Sequence, residues 1–255
     1  MSVVRQSTGS SWVAGSSRYS SGSGWSYTGS GAPLVVASSF GGQYRAAGQA
    51  ISATFGSITP LANDLGIIMV TSKNGARAAT PSGWSQLVAN EHSSAQTYRQ
   101  IFTKILGSGE SGPSLNQDSG YPTGQPWGYA SMVVRGASTT SSISSTPEVQ
   151  VDTSRSLYVG GLTSPTEAKS LVIAMLSQGN NPSRTVATYY EPEPGSTAKL
   201  AQLDLEMDQV YAQATAVSHH IFTQNWPYAG PINWRYFYWS ASVSGGAILF
   251  VVNPA

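Results

Sequence analysis

"LAQLDLEMDQVY", residues 200–211, decides the fold class. Wound as a helix, it puts Leu200, Leu203, Met207 and Val210 on one face but leaves Leu205 on the polar side. Drawn out as a strand, it turns Leu203, Leu205 and Met207 one way and Gln202, Asp204, Glu206 and Asp208 the other, with no misfit. The strand is the better reading, and the chain on either side agrees. Short β-type runs recur: "PLVVASSF" (33–40), "QAISATF" (49–55), "LGIIMVTS" (65–72), "WSQLVAN" (84–90), "TYRQIFTKIL" (97–106) and "WGYASMVVRG" (127–136). They continue with "EVQVD" (148–152), "SLVIAMLS" (170–177), "SHHIFTQ" (218–224), "WRYFYWSASV" (234–243) and "AILFVVN" (247–253). Gly, Pro, Asn and Ser clusters punctuate them. That pattern predicts an all-β chain, an antiparallel β-sandwich of jelly-roll type over residues 32–255.

A loose internal echo runs through it. "LGIIMVTSKNGARAATPSG" and "SLVIAMLSQGNNPSRTVATYY" each read as buried strand, Gly/Asn turn and Pro-containing loop. Two similar halves would suit two packed sheets, although so loose a likeness does not by itself establish a duplication.

Residues 1–31 differ from the rest. Ser and Gly dominate, with Trp12, Tyr19, Trp25 and Tyr27 interleaved. Plain Ser/Gly linkers lack such aromatics. The segment reads as an extended N-terminal arm whose aromatics order against the body or a neighbour; the alternative is a disordered tail.

Composition narrows the function classes. The 255 residues are 40% hydrophobic but only 10% charged, with a formal net charge of +1. Scattered Lys and Arg do not make a nucleic-acid groove, which needs clustered cations to replace counterions. A weakly charged surface offers little repulsion between copies, which suits a protein covered by its neighbours. No cysteine is present, so there is neither a disulfide framework nor a thiolate metal site. The opening residues lack an apolar core of signal-peptide length, and "LGIIMV" and "AILFVV" fall far short of the ~20 residues that span a bilayer. No membrane insertion is expected.

The order of features resembles a family of phage and prophage virion proteins. Its members carry an apolar strand, a loop, Thr-Pro-x-Gly-Trp, a strand with aromatic-x-Lys, a Tyr-Arg-Gly strand end, and a last apolar strand closing in Pro. This chain has "LGIIMVTS", "TPSGW", "IFTKI", "MVVRG", "SLVIAML" and "AILFVVNP" between about Ala32 and Ala255. It departs from the pattern where Phe102 replaces the tyrosine before Lys104 and where Val134 precedes Arg135-Gly136. The resemblance implies a structural or adhesive virion component, in capsid decoration or a tail tip or fibre, assembled in the host cytoplasm. It implies partners among other virion proteins and copies of itself, no cofactor and no catalytic residue. The physics of the motifs is one of packing. Pro81 and Gly83 suit a tight turn with a positive-φ glycine. Trp84 then opens a strand and plugs one end of the core. Arg135 pairs with a carboxylate or with loop carbonyls, a ligand-binding role being the alternative.

Other residues admit a chemical as well as a structural reading. Asp204, Glu206 and Asp208 alternate on one strand face and offer hard oxygens to Ca²⁺ or a carboxylate pair for glycoside hydrolysis, but a flat face seldom wraps a cation. A solvated outer face is the simpler reading. His219 and His220 point to opposite faces and do not share a metal; His92 is the remaining histidine. No Gly-x-Ser-x-Gly elbow occurs. The densest aromatic stretch is "NWPYAGPINWRYFYWS" (225–240). Alternation sends Phe237, Trp239, Ala241 and Val243 one way and Trp234, Tyr236 and Tyr238 the other. Trp226, Tyr228, Trp234, Tyr236 and Tyr238 are therefore candidates for a subunit contact or a host-glycan platform, unless the strand is covered on both faces.

Overall fold

The computed structural model describes residues 18–20, 25–27, 32–44, 50–92, 97–122, 125–143, 148–152, 156–159, 162–166, 168–178, 186–189, 204–210, 218–226, 230–232, 235–239 and 245–255. Within the arm, β1 (Arg18–Ser20) pairs antiparallel with β2 (Trp25–Tyr27). The body begins with β3 (Leu34–Tyr44), β4 (Ile51–Ser52), β5 (Leu65–Lys73), β6 (Ser85–His92), β7 (Thr97–Ile105), β8 (Ser114–Leu115) and β9 (Pro126–Arg135). It continues with β10 (Glu148–Asp152), β11 (Ser156–Val159), β12 (Leu162–Thr166), β13 (Ser170–Gln178), β14 (Val186–Tyr189) and β15 (Asp204–Val210). The last elements are β16 (Ser218–Trp226), β17 (Gly230–Ile232), β18 (Arg235–Trp239) and β19 (Gly245–Val252).

Two five-stranded antiparallel sheets form the sandwich. The first has the order β3-β9-β5-β7-β6, the second β10-β19-β13-β16-β15. Leu65, Ile67, Met69, Ile101, Met132 and Val134 of the first interdigitate with Leu171, Ile173, Met175, Ile221, Ile248 and Phe250 of the second. Each such side chain taken from water contributes about 1.5–3 kcal/mol before chain entropy is set against it. The antiparallel sandwich is the one expected from the strand pattern. Its connectivity departs from a jelly roll, because each sheet is built from one contiguous half of the chain.

The first sheet is buried on its outer face as well. Ile68, Val70, Phe102, Trp127, Tyr129 and Val133 pack there under Ile51, Phe55, Ala76, Ala78, Trp84, Leu106 and Leu115 from three loops. This explains why β5 reads as an unbroken apolar run: a strand covered on both sides has no reason to alternate. Polar groups hold the cover down. Gln100 Oε1 accepts from the Ala78 amide at 2.8 Å and its Nε2 donates to the Ala78 carbonyl at 2.9 Å, as a strand neighbour would. The Ser131 hydroxyl donates to the Thr54 carbonyl, and the Thr54 amide donates to Tyr129 Oη.

β18, whose stretch alternates aromatic residues on both faces, lies in neither main sheet. It is the middle of a separate three-stranded sheet, β11-β18-β14, and β12 pairs with β17 in a two-stranded sheet of its own. β8, β11, β12, β14 and β17 are too short or too polar to stand out in a scan for alternation.

Candidate functional site

The residues that carry the family resemblance meet at one end of the first sheet. The Trp84 amide donates to the Pro81 carbonyl at 3.0 Å and Gly83 takes φ +76°, closing the turn expected there. Trp84 is buried and stacks on Phe55, centroids 6.2 Å apart. It can approach β5 this closely because position 66 is glycine: a Cβ there would come within 2.9 Å of both the Trp84 ring and Leu106. Phe102 and Lys104 share a face of β7, which is the physical content of aromatic-x-Lys. Phe102 enters the outer core while Lys104 reaches Glu110 and lies beside Gly83. Glu110 also accepts from the Gly107 amide at 2.8 Å. Burial raises its carboxyl pKa, but the Gly107 and Lys104 bonds outweigh that and hold it below the ordinary value.

Arg135 completes this end. Its Nε and Nη2 donate to Asp64 Oδ1 and Oδ2 at 2.9 and 2.8 Å, and Oδ2 also accepts from the Leu61 amide at 2.9 Å. Asp64 is 1% exposed, so the fork of the guanidinium satisfies a carboxylate that water hardly reaches. Of the roles open to Arg135, the structure assigns the carboxylate partner. Gly136 then turns with φ +79°, and Ala137 bridges to Pro254 of the closing Asn-Pro. The motifs lie far apart along the chain, yet they meet here, and Trp84, Lys104 and Arg135 each take a partner from a neighbouring loop: Phe55, Glu110 and Asp64.

A second polar cluster lies near the other end, between the sheets. Arg99 is fully buried; its Nε donates to Ser177 Oγ at 2.7 Å and its Nη2 to the Ser177 carbonyl at 3.4 Å. His219 Nε2 lies 3.1 Å from Thr71 Oγ1. Burial pushes the guanidinium pKa down to about 10, so it stays protonated at neutral pH. Burial first, then the nearby His220 and Arg99, push His219 down to about 3. A hydroxyl beside an imidazole has the outline of an activated nucleophile, but a general base works best near the operating pH. A histidine this acidic is a poor base, and Thr71 and His219 are both sealed inside the sandwich. The pair joins the sheets.

The shifted histidine makes stability depend on pH. Unfolded, His219 takes up a proton near 6.5; folded, it stays neutral down to about 3. In that window the unfolded chain holds the extra proton, so stability falls as the pH falls, by up to about 1.4 kcal/mol per pH unit. Urea melts between pH 7 and pH 4 should show the parent losing stability more steeply than His219→Gln, by roughly one proton's slope. Equal slopes would place His219 in contact with water.

The remaining candidates separate. Trp226 is corrected: β16 runs on through Asn225 and ends at Trp226, which is buried instead of displayed. Tyr236 and Tyr238 lie on β18, where register sets Tyr236 opposite both Tyr158 and Tyr189 in one row across three strands. Tyr228, Trp234 and Trp12 lie outside the described residues. Tyr19, Trp25 and Tyr27 fall on the small β1–β2 ladder. The acidic row is corrected as well. Residues 204–210 form a strand, but a bulge at Glu206 breaks the alternation, and Asp204 and Asp208 oppose Thr223 and His220, which differ in parity on β16. Among the described residues, no group of three His, Cys, Asp or Glu is placed to hold a metal.

Sequence reading passed over Asp64, Gly66, Arg99 and Arg77. The last sits between the Tyr98 and Tyr121 rings, 4.1 Å from each centroid, and ties two cover loops to the sheet. Gly66 had a usable signal, since a glycine inside an apolar strand marks a close approach. Compared with protein-family models, curated proteins and solved structures, the chain finds no match.

Proposed function

We propose that this chain is a non-enzymatic structural protein of a bacteriophage particle, a capsid decoration or a tail tip or fibre component, acting through contacts among many copies. The observation that carries the reading is the convergence of Trp84, Lys104, Arg135 and the closing Asn-Pro at one end of the sandwich. There they serve as outer-face packing, ion pairs and bridge. Residues with the chemistry for a site are used to brace a rigid body, as a packing motif requires. Low charge fits a surface closed off by neighbours. The arm, 1–31, is the segment suited to reach an adjacent subunit, because strand edges there supply hydrogen bonds that its own aromatics lack.

A mass-spectrometric inventory of purified particles tests this. The chain is expected in many copies per particle, and light scattering of the isolated protein should show self-association. A monomer absent from particles would overturn the proposal.

The second reading is a glycan- or receptor-binding head. The row of Tyr158, Tyr236 and Tyr189 favours it, since aromatic faces stack on sugar rings. A glycan array separates the two: binding lost on Tyr236→Ala supports the head, and a blank array leaves the structural role.

A further inference from the structure

We infer that the sandwich is a fused homodimer: two copies of one five-stranded unit, joined end to end, whose inner faces are each other's partners about a twofold axis along the strands. Label the main strands of the first half a to e in chain order: β3, β5, β6, β7 and β9. Those of the second are β10, β13, β15, β16 and β19. Both sheets then read a-e-b-d-c.

Register carries the likeness to single residues. On b, Thr71 faces Arg99 of d and Gly128 of e; Ser177 faces His219 and Gly246 in the same way. Met69 sits between Ile101 and Ala130, and Met175 between Ile221 and Ile248. With that anchor and no adjustment along each strand, Leu65, Ile67 and Met69 fall on Leu171, Ile173 and Met175. Ile101-Phe102-Thr103 falls on Ile221-Phe222-Thr223, and Gly128, Val133 and Val134 on Gly246, Val251 and Val252. Strand c carries a bulge in both halves at the equivalent place, between Gln86 and Val88 and between Leu205 and Met207. Buried sandwich strands share Val and Ile for general reasons. A shared bulge, a shared Ile-Phe-Thr and a shared glycine opposite the same hydroxyl residue have no such common cause.

A twofold relation also demands that every contact between halves have a mate. Arg99 on d bonds Ser177 on the other b, and His219 on the other d bonds Thr71 on b. β15 lies over β3, and β6 over β10, which is c over a both times. β16 lies over β9, and Arg99 of β7 lies against Gly246 of β19, which is d over e both times. An isologous interface has this self-complementary form. The covers follow suit: the a–b and d–e connections pair through β4 and β8 in the first half, and through β11 with β18 and β12 with β17 in the second.

The test exchanges the two clasps in the full chain. Arg99→His and His219→Arg, made singly, are expected to lower Tm by about 6 °C or more, the range for a disrupted buried polar pair in a domain of this size. Made together, they rebuild the same clasp with the halves interchanged, and Tm should return to within about 3 °C of the parent. A double variant that loses as much as the two singles combined would overturn the inference. Should the singles fail to fold, a crystal structure of the unmodified protein decides. Superposing 65–71, 99–103 and 128–134 on 171–177, 219–223 and 246–252 is expected to need a rotation near 180°, and a rotation far from it would overturn the twofold relation.

Discussion

Arg135→Ala is expected to destabilise the protein by about 3 kcal/mol, with no change of fold. Breaking a buried ion pair from one side costs roughly 3–5 kcal/mol, because the remaining charge is left without its partner. Here the remaining charge is Asp64, whose side chain is only 2% exposed against 27% for Arg135. The partial exposure of Arg135 puts the cost at the lower end, since water can follow the truncated side chain inward. The Leu61 amide still bonds Oδ2 but cannot neutralise it. Removing both charges with Arg135→Met and Asp64→Asn should restore part of the loss, because no buried charge is then left unpaired and the Asn oxygen can still accept from the Leu61 amide. Urea melts with an unchanged slope would measure both. A loss under about 1 kcal/mol for Arg135→Ala, the range of exposed ion pairs, would show that water solvates Asp64 freely.

Trp84→Ala is the larger loss, at about 3–5 kcal/mol, the range for a buried aromatic whose cavity cannot collapse. Collapse is hindered because Phe55, Leu106 and the β5 backbone around the ring are each held by other contacts. Gly66→Ala tests the same contact from below. Its new methyl would sit 2.9 Å from the Trp84 ring and from Leu106, and forced overpacking costs roughly 1–3 kcal/mol. The two changes should not add. With the indole gone, the methyl has half of its obstruction removed, so Gly66→Ala should cost less in the Trp84→Ala background, and a double-mutant cycle reads that coupling. Strict additivity, or a Trp84→Ala loss under about 1 kcal/mol, would mean that the indole does not rest on β5.

Strand identity is a local property, and residues 200–211, 65–72 and 170–177 show how far it can be read. Alternation, or an unbroken apolar run ended by Gly and Asn, is written in a handful of consecutive residues, as is the Pro-Ser-Gly turn before Trp84. Hence all main strands, the all-β class and the burial of Trp84 after its turn were legible in the sequence, but its place was not: it lies under the loops on the outer face of the first sheet and does not plug the core between the sheets. Partnership is not local. Asp64 and Arg135, or Arg99 and Ser177, are joined only by the strand order, and nothing near either residue names the other. The bulge at Glu206 reverses parity beyond it, so a one-residue irregularity undid the expected acidic face. The burial of Trp226 is not local either, being decided by where β16 stops and by what covers that face of the second sheet. The echo between residues 65–83 and 170–190 was visible but weak, since buried strands draw on few residue types. Only the tertiary structure, by supplying the same register, the same bulge and mated contacts in both halves, turned that likeness into a relation between two copies.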